Sequence, residues 1–297
     1  MMPSSSHVLI EWFGLERRAV MNSQLIDIGW GSLLLYYTML LIPLAIFHSL
    51  GLGLTRSLLW AIVRMTVQLF LVGLYLEFLF STNSLWLNLM WLLVMLTVAN
   101  FRILGDGGIG LRRFVLPCLW ALGATTLTVA GVMIFSLIRP DPWYDARYLI
   151  PIVGMILGNC LRGNILSVQH FYAGISKDVD IYRQRLTMGA TRFEALRPWL
   201  AAAMNNACRQ HLATMATVGI VALPGMMTGQ ILGGAMPMVA IKYQLAIMIA
   251  IFVSLSLGAY LNLWLTIPRA FDCMGNLCED VQGSAWIGSK SGAGKKH

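Results

Sequence analysis

The stretch Thr217–Gly234, TVGIVALPGMMTGQILGG, is an apolar segment interrupted from within. Pro224 removes a backbone donor inside a run long enough to cross a membrane, which predicts that the helix kinks or stops there. Gly225, Gly229 and Gly233 recur at every fourth residue and predict one helix face free of side chains. In lipid, packing rather than water exclusion drives helices together, so such a face admits another backbone at close range. The glycines alone fit an ordinary helix–helix contact equally well. Gly154 and Gly158 repeat the same spacing earlier in the chain.

Composition carries the membrane reading to the whole chain. Of 297 residues, 58% are hydrophobic and only 11% charged, and the mean hydropathy is +0.71. A soluble domain has roughly twice that share of charge. The length allows six or seven spans with short loops, and no separate soluble domain that could house an ATPase or a protease. The net charge of +8 lies mainly in the loops between apolar runs, so nucleic acid is not an expected partner. Cys118, Cys160 and Cys208 fall in or beside apolar helices, where a thiol behaves as a small hydrophobe. Cys273 and Cys278 have no histidine nearby, which argues against a zinc site. The terminal GSKSGAGKKH lacks the spacing of a phosphate loop.

Seven apolar runs stand out, at about 28–48, 58–80, 85–101, 114–138, 148–170, 199–234 and 238–266. Each is long enough for roughly 30 Å of hydrocarbon at about 1.5 Å per residue. The expected fold is therefore all-α, a polytopic helical bundle of about seven transmembrane helices. The segments 49–57, 102–113, 172–197 and the tail from 267 hold thirteen Lys and Arg, against four in the opposite set. The positive-inside bias puts the N-terminus out and the C-terminus in. The domain reading follows. Residues 1–27 form an extracytoplasmic extension without the features of a signal peptide, 28–270 the transmembrane domain, and 271–297 a flexible cytoplasmic tail.

The cytoplasmic segment 172–197 is too regular for a connector. Ile181, Arg185, Leu186 and Met188 predict a short amphipathic helix that Gly189 ends, followed by Ala190. Thr191 and Glu194 match a capping box opening the next helix at Arg192. Two readings are open: an interfacial helix whose arginines meet anionic lipid, or a coupling element seated in a cytoplasmic partner.

Polar side chains inside the runs are the other candidates, because hydrocarbon penalises them unless they face a cavity or a partner. Arg64 and Gln68 share one face at i and i+4, and Arg64 is about 10 Å from the inner end, within snorkelling reach. Asn159 belongs to an inner-half cluster with Arg162 and Asn164. Asn205, Asn206, Arg209, Gln210 and His211 form the densest cluster. Placing them in an inner vestibule leaves a lipid-embedded helix from about Leu212 to Gly229. Met226 and Met227 beside Pro224 are either core filler or soft ligands. No catalytic constellation is present, so the chain is not expected to be an enzyme.

LTMGAT (Leu186–Thr191) resembles the cytoplasmic EAA loop of ATP-binding-cassette permeases, with Gly189 at its glycine. IPIVGMILGN (Ile150–Asn159), the 217–234 stretch and AIKYQ (Ala240–Gln244) are similar to conserved blocks of the FetB-like permease family, which includes bacterial iron exporters and plant aluminium-tolerance permeases. The similarity spans roughly 45–270; Arg183 stands where an acidic residue often precedes the loop's glycine. The resemblance implies a homodimeric inner-membrane (plasma-membrane) permease, multi-pass, exporting iron or a related metal species. It implies a separate cytoplasmic ABC ATPase that uses ATP and Mg, with no cofactor on this chain and metal ligands unknown. Arg185, Met188, Gly189, Ala190, Thr191 and Glu194 would receive the ATPase's motion. Arg64, Gln68, Asn159, Asn205, Asn206, Arg209, His211, Pro224, Met226 and Met227 are the transport-path candidates. The glycines at 154, 158, 225, 229 and 233 would pack the dimer core. An anionic organic cargo such as a nucleotide sugar, or a non-transporting membrane scaffold or sensor, are the alternatives.

Overall fold

Apolar runs of this length in lipid leave the backbone one economical choice, the α-helix, which satisfies its own amides. The computed structural model describes residues 28–272 and 277–278. Among them are nine helices and no strand beyond two isolated bridges. They are α1 (Trp30–Ser49, with a 3₁₀ turn at Thr38–Leu40), α2 (Thr55–Thr82), α3 (Leu85–Gly107) and α4 (Leu111–Val132, ending in a π-helical turn Met133–Ile138). Then follow α5 (Ala146–Lys177), α6 (Val179–Thr187), α7 (Arg192–Thr217), α8 (Gly225–Leu232) and α9 (Pro237–Ala270). Local chemistry sets several ends. Gly108 closes α3 in the left-handed region at φ 72°, and Asp145 caps α5 by accepting from the Arg147 amide at 3.0 Å.

Six of these helices are long and apolar enough to cross a membrane: α1 to α5, the fourth carried on by its π turn, and α9. The sixth run, 199–234, is interrupted as Pro224 predicts, but the span expected from Leu212 to Gly229 does not form. The chain leaves helical geometry from Val218 to Pro224, dividing that run between α7 and α8. Gly219 takes φ +89°, which only glycine adopts cheaply, and Pro224 cannot donate to a preceding turn.

The helices fall into two units. One contains α1, α2, α8 and the start of α9 to Ile241. Its α1 and α2 meet through the Tyr37 and Thr66 hydroxyls at 2.8 Å, and large side chains such as Leu35, Trp60, Leu69 and Leu71 remain uncovered. The other contains α3 to α7 and α9 from Lys242. Here α5 is the central helix, packed against α3, α4 and α7, with Val153, Ile156, Val168, Phe171 and Ile175 fully enclosed.

Close packing in this second unit uses glycines other than those the four-residue repeats single out. A Cβ on Gly163 would sit 2.6 Å from Leu255 Cγ, and one on Gly174 would sit 2.9 Å from the Trp199 ring. Gly154 nears only Met95 Cε at 3.2 Å, whereas Gly158, Gly225 and Gly229 meet nothing within 4 Å inside the chain. Gly233 faces its own preceding turn. Buried amides join the helices: Asn262 Nδ2 donates to Asn164 Oδ1 at 3.1 Å, and Asn164 Nδ2 to the Cys160 carbonyl at 2.9 Å.

Gly163→Ala is expected to destabilise the detergent-solubilised chain by about 1–3 kcal/mol, because an added methyl must displace a packed leucine. Gly229→Ala should leave monomer stability unchanged or raise it by up to about 1 kcal/mol. Thermal melts of both variants decide; equal losses would reject the assignment.

Candidate functional site

Between α5 and α7 the chain forms the expected short helix, glycine turn and second helix, α6 ending before Gly189 and α7 opening at Arg192, while α5 itself runs on to Lys177, beyond the run expected to end near 170. Gly189 at φ +91° ends α6, with its amide donating to the Leu186 carbonyl at 3.0 Å and that of Ala190 to Arg185 at 3.1 Å. This pair of bonds is a Schellman motif. The reciprocal box follows at once. The Thr191 amide donates to Glu194 Oε2 at 2.8 Å, and the Glu194 amide to Thr191 Oγ1 at 3.4 Å. The hydrogen bonds from Thr191 hold the Glu194 carboxyl below its ordinary range. Met188 projects from the turn at 79% exposure.

Aromatic side chains fix this turn to its supports. Tyr182 of α6 is buried, with its ring 6.5 Å from Trp199 of α7 and 5.3 Å from Phe271 beyond α9. Burial pushes the Tyr182 phenol up, so it stays neutral at pH 7. Trp199 seats over Gly174 and donates from Nε1 to Asp178 Oδ2 at 3.3 Å. Arg185 stacks 5.5 Å from the Trp199 ring centre and Arg192 5.9 Å from that of Phe271. Phe271 belongs to the segment expected to be a flexible tail, yet it is buried, and the Cys278 amide donates to Ala270 O at 2.9 Å. Residues 273–276, Cys273 included, 279–297 and the extension 1–27 lie outside the described residues. Tyr182, Trp199, Gly174 and Phe271 carried no periodic signal that would have marked them together.

The transport-path candidates separate. Arg64 and Gln68 are exposed on α2 in the first unit. In the second, Asn159 is exposed and donates to its own helix at the Met155 carbonyl, 2.8 Å away. On α7, Asn205 and Arg209 lie on an uncovered face with Ala202, Ala213 and Ala216, and Asn206 is half-buried. His211 points the other way, 8% exposed, its ring stacked on Phe252 of α9 at 6.1 Å. Beyond α7 the chain closes on itself, with Val221 N donating to Thr217 O at 3.0 Å and Gly219 N to Ala222 O at 2.9 Å. Pro224, Met226 and Met227 are half-buried. Among the described residues no three His, Cys, Asp or Glu side chains gather into a metal site.

The profile of the family described as "Uncharacterised protein family (UPF0014)" matches residues 30–271. The UPF0014 membrane protein slr1647 of Synechocystis is 34% identical over 240 residues, covering 80% of this chain and 92% of that protein. Protein ALUMINUM SENSITIVE 3 of Arabidopsis thaliana is 28% identical, covering 78% of this chain and 83% of its own. The probable iron export permease protein FetB of Escherichia coli is 26% identical, covering 81% and 92%. No solved structure matches. With the family profile running from the first turn of α1 to the residue after α9, the chain is a member of the UPF0014 family of membrane proteins.

Proposed function

We propose that this chain is the membrane subunit of an ATP-driven exporter, paired with a cytoplasmic ABC ATPase that uses ATP and Mg. The observation that carries the reading is the α6–Gly189–α7 turn. It offers an exposed apolar knob, Met188, on a support fixed by stacked aromatics, so a push on the turn reaches α5 and α7 as a displacement rather than a local bend. The uncovered face of α7 supports a homodimer, because Asn205 and Arg209 are costly against lipid and need water or a second copy. The open faces at Gly225 and Gly229 support the same assembly.

In this reading the protein sits in the inner (plasma) membrane with its N-terminus out and C-terminus in. That orientation needs an odd number of crossings, so the broken pair α7 and α8 supplies the seventh. The cargo is iron or a related metal species, a step supported by the printed name of the Escherichia coli relative. A second reading, an anionic organic cargo, is favoured by the exposed guanidinium groups of Arg64 and Arg209.

The test is ATP-dependent iron accumulation in inverted vesicles carrying this chain and its ATPase. Uptake that requires both subunits and ATP is expected. ATPase stimulation without iron uptake would transfer the reading to the anionic cargo, and neither response would remove transport altogether. Gly189→Trp, which forces a bulky side chain into the left-handed region, should preserve membrane insertion and lower coupled ATPase activity by at least about tenfold. Normal transport by that variant would refute the placement of the coupling turn.

The capping box adds a pH dependence. With the Glu194 carboxyl held low by Thr191, the box is complete above the ordinary carboxylate range and is lost as pH falls through the lowered value. Intrinsic-rate-corrected hydrogen exchange in the first turn of α7 should therefore rise on acidification, and Glu194→Gln should flatten that response.

A further inference from the structure

Helix α9 ends against the helices that form the coupling turn. Its last residue, Ala270, is fully buried, and Phe271 directly after it is 5% exposed. The chain then folds back on itself: Phe271 and Leu277 pair as an antiparallel bridge, and the Cys278 amide donates to the Ala270 carbonyl at 2.9 Å. That bond satisfies one of the carbonyls a helix leaves open at its end.

Both helices that flank Gly189 hold this end. Arg192, the first residue of α7, donates from its guanidinium to the Asp272 carbonyl at 3.3 Å, and the same group lies 5.9 Å from the centre of the Phe271 ring. Tyr182 of α6 meets that ring at 5.3 Å. One aromatic side chain thus touches α6 and α7 together, and a single peptide bond separates its residue from α9. An aliphatic residue would fill part of the space but could offer neither the cation–π nor the ring–ring contact.

The helix behind Phe271 is itself firmly seated. Leu255 of α9 leaves no room for a Cβ on Gly163 of α5, and Asn262 donates to Asn164 at 3.1 Å with both side chains 1% exposed. A Cβ on Gly258 would stand 3.3 Å from Asn164 Nδ2 and 3.3 Å from Thr125 Oγ1 of α4. A close-packed helix of this kind yields little when pushed at its end. Through Phe271 that stiffness reaches a turn whose tip, Met188, is exposed.

We propose that Phe271 is a positioning residue for the partner ATPase: it braces the α6–Gly189–α7 turn against the end of α9 and holds the turn in the placement that the ATPase engages. The inference rests on the exporter reading and adds a third helix to the support of the turn, which that reading takes from α5 and α7. A turn without the brace spends part of its time elsewhere, and binding through a partly populated state weakens by that fraction while the bound complex is the same.

Hydrogen exchange on the purified chain in detergent tests the brace with no ATPase present. Phe271→Ala is expected to speed exchange across Val179–Thr187 by at least about tenfold, and Phe271→Tyr, which keeps the ring, to stay near the wild-type rate. Amides in the middle of α5 should exchange alike in all three proteins, which marks them as folded. Unaltered exchange in α6 of Phe271→Ala overturns the brace. Titrating the ATPase into each protein then tests positioning. The concentration giving half-maximal ATPase stimulation should rise at least about fivefold in Phe271→Ala and return in Phe271→Tyr, with the maximal rate kept within about twofold. A lowered maximal rate at unchanged half-saturation is what partial unfolding produces, and it overturns the positioning role. If the wild type itself neither binds nor stimulates the ATPase, the exporter reading falls and positioning with it, while the exchange result alone decides the brace.

Discussion

A backbone amide or carbonyl left without a partner in hydrocarbon costs several kcal/mol, and irregular chain at membrane depth survives only where something other than lipid surrounds it. The residues between Thr217 and Gly225 meet that constraint in a compact way. Thr217 O accepts from the amides of Ile220, Val221 and Ala222, and Gly219 N turns back to Ala222 O. Pro224 needs no acceptor for an amide it does not have. The break is thus largely self-satisfied, yet Ile220 and Val221 at its tip are 90% and 80% exposed. The boundary between the two helical units falls at this same point, and α9 passes from one unit to the other at Ile241–Lys242.

At the opposite end of α7 the structure does the reverse and concentrates contacts. Trp199 touches Gly174 of α5, Tyr182 of α6 and, through Nε1, Asp178. Phe271 completes the group from beyond α9. A wide aromatic ring over a glycine leaves no slack, since any larger residue at 174 would collide with it. Helix α7 therefore begins fixed and ends broken. A helix so arranged transmits displacement along its length and concentrates compliance at its far end.

The parts of this architecture that were legible in the sequence are those written in one segment. Run lengths announced the spans, Pro224 the break, and T-x-x-E at Thr191 the start of α7. The lipid-embedded helix expected from about Leu212 to Gly229 does not form, because the chain leaves helical geometry already at Val218, six residues before the proline that marks the break. The aromatic group at Trp199 was not legible because its members lie 17 and 72 residues from that tryptophan, and only tertiary packing joins them. The glycines show the same limit. A four-residue repeat marks a smooth face, but whether anything fills it depends on a neighbour; Gly163 and Gly174 are filled within the chain, whereas Gly225 and Gly229 are open. On α7 the polar cluster read as one patch, yet two residues of helical rotation send Arg209 outward and His211 inward.

That rotation bears on what the chain can carry. A bare hard cation crossing a membrane needs carboxylates or free carbonyls, and the one carboxylate within the seven apolar runs is Glu77, near the end of the second. The carbonyls at the break, the other natural source of oxygen, are partly spoken for, since those of Thr217 and Ala222 already accept from backbone amides. What α7 does present is nitrogen and sulfur on its inward face and a guanidinium on its outward one. A guanidinium on the uncovered face repels a bare cation and draws an anion. The face of α7 that the folded chain leaves uncovered is thus the one carrying Asn205 and Arg209, whereas the inward face is closed by the packing of His211 on Phe252.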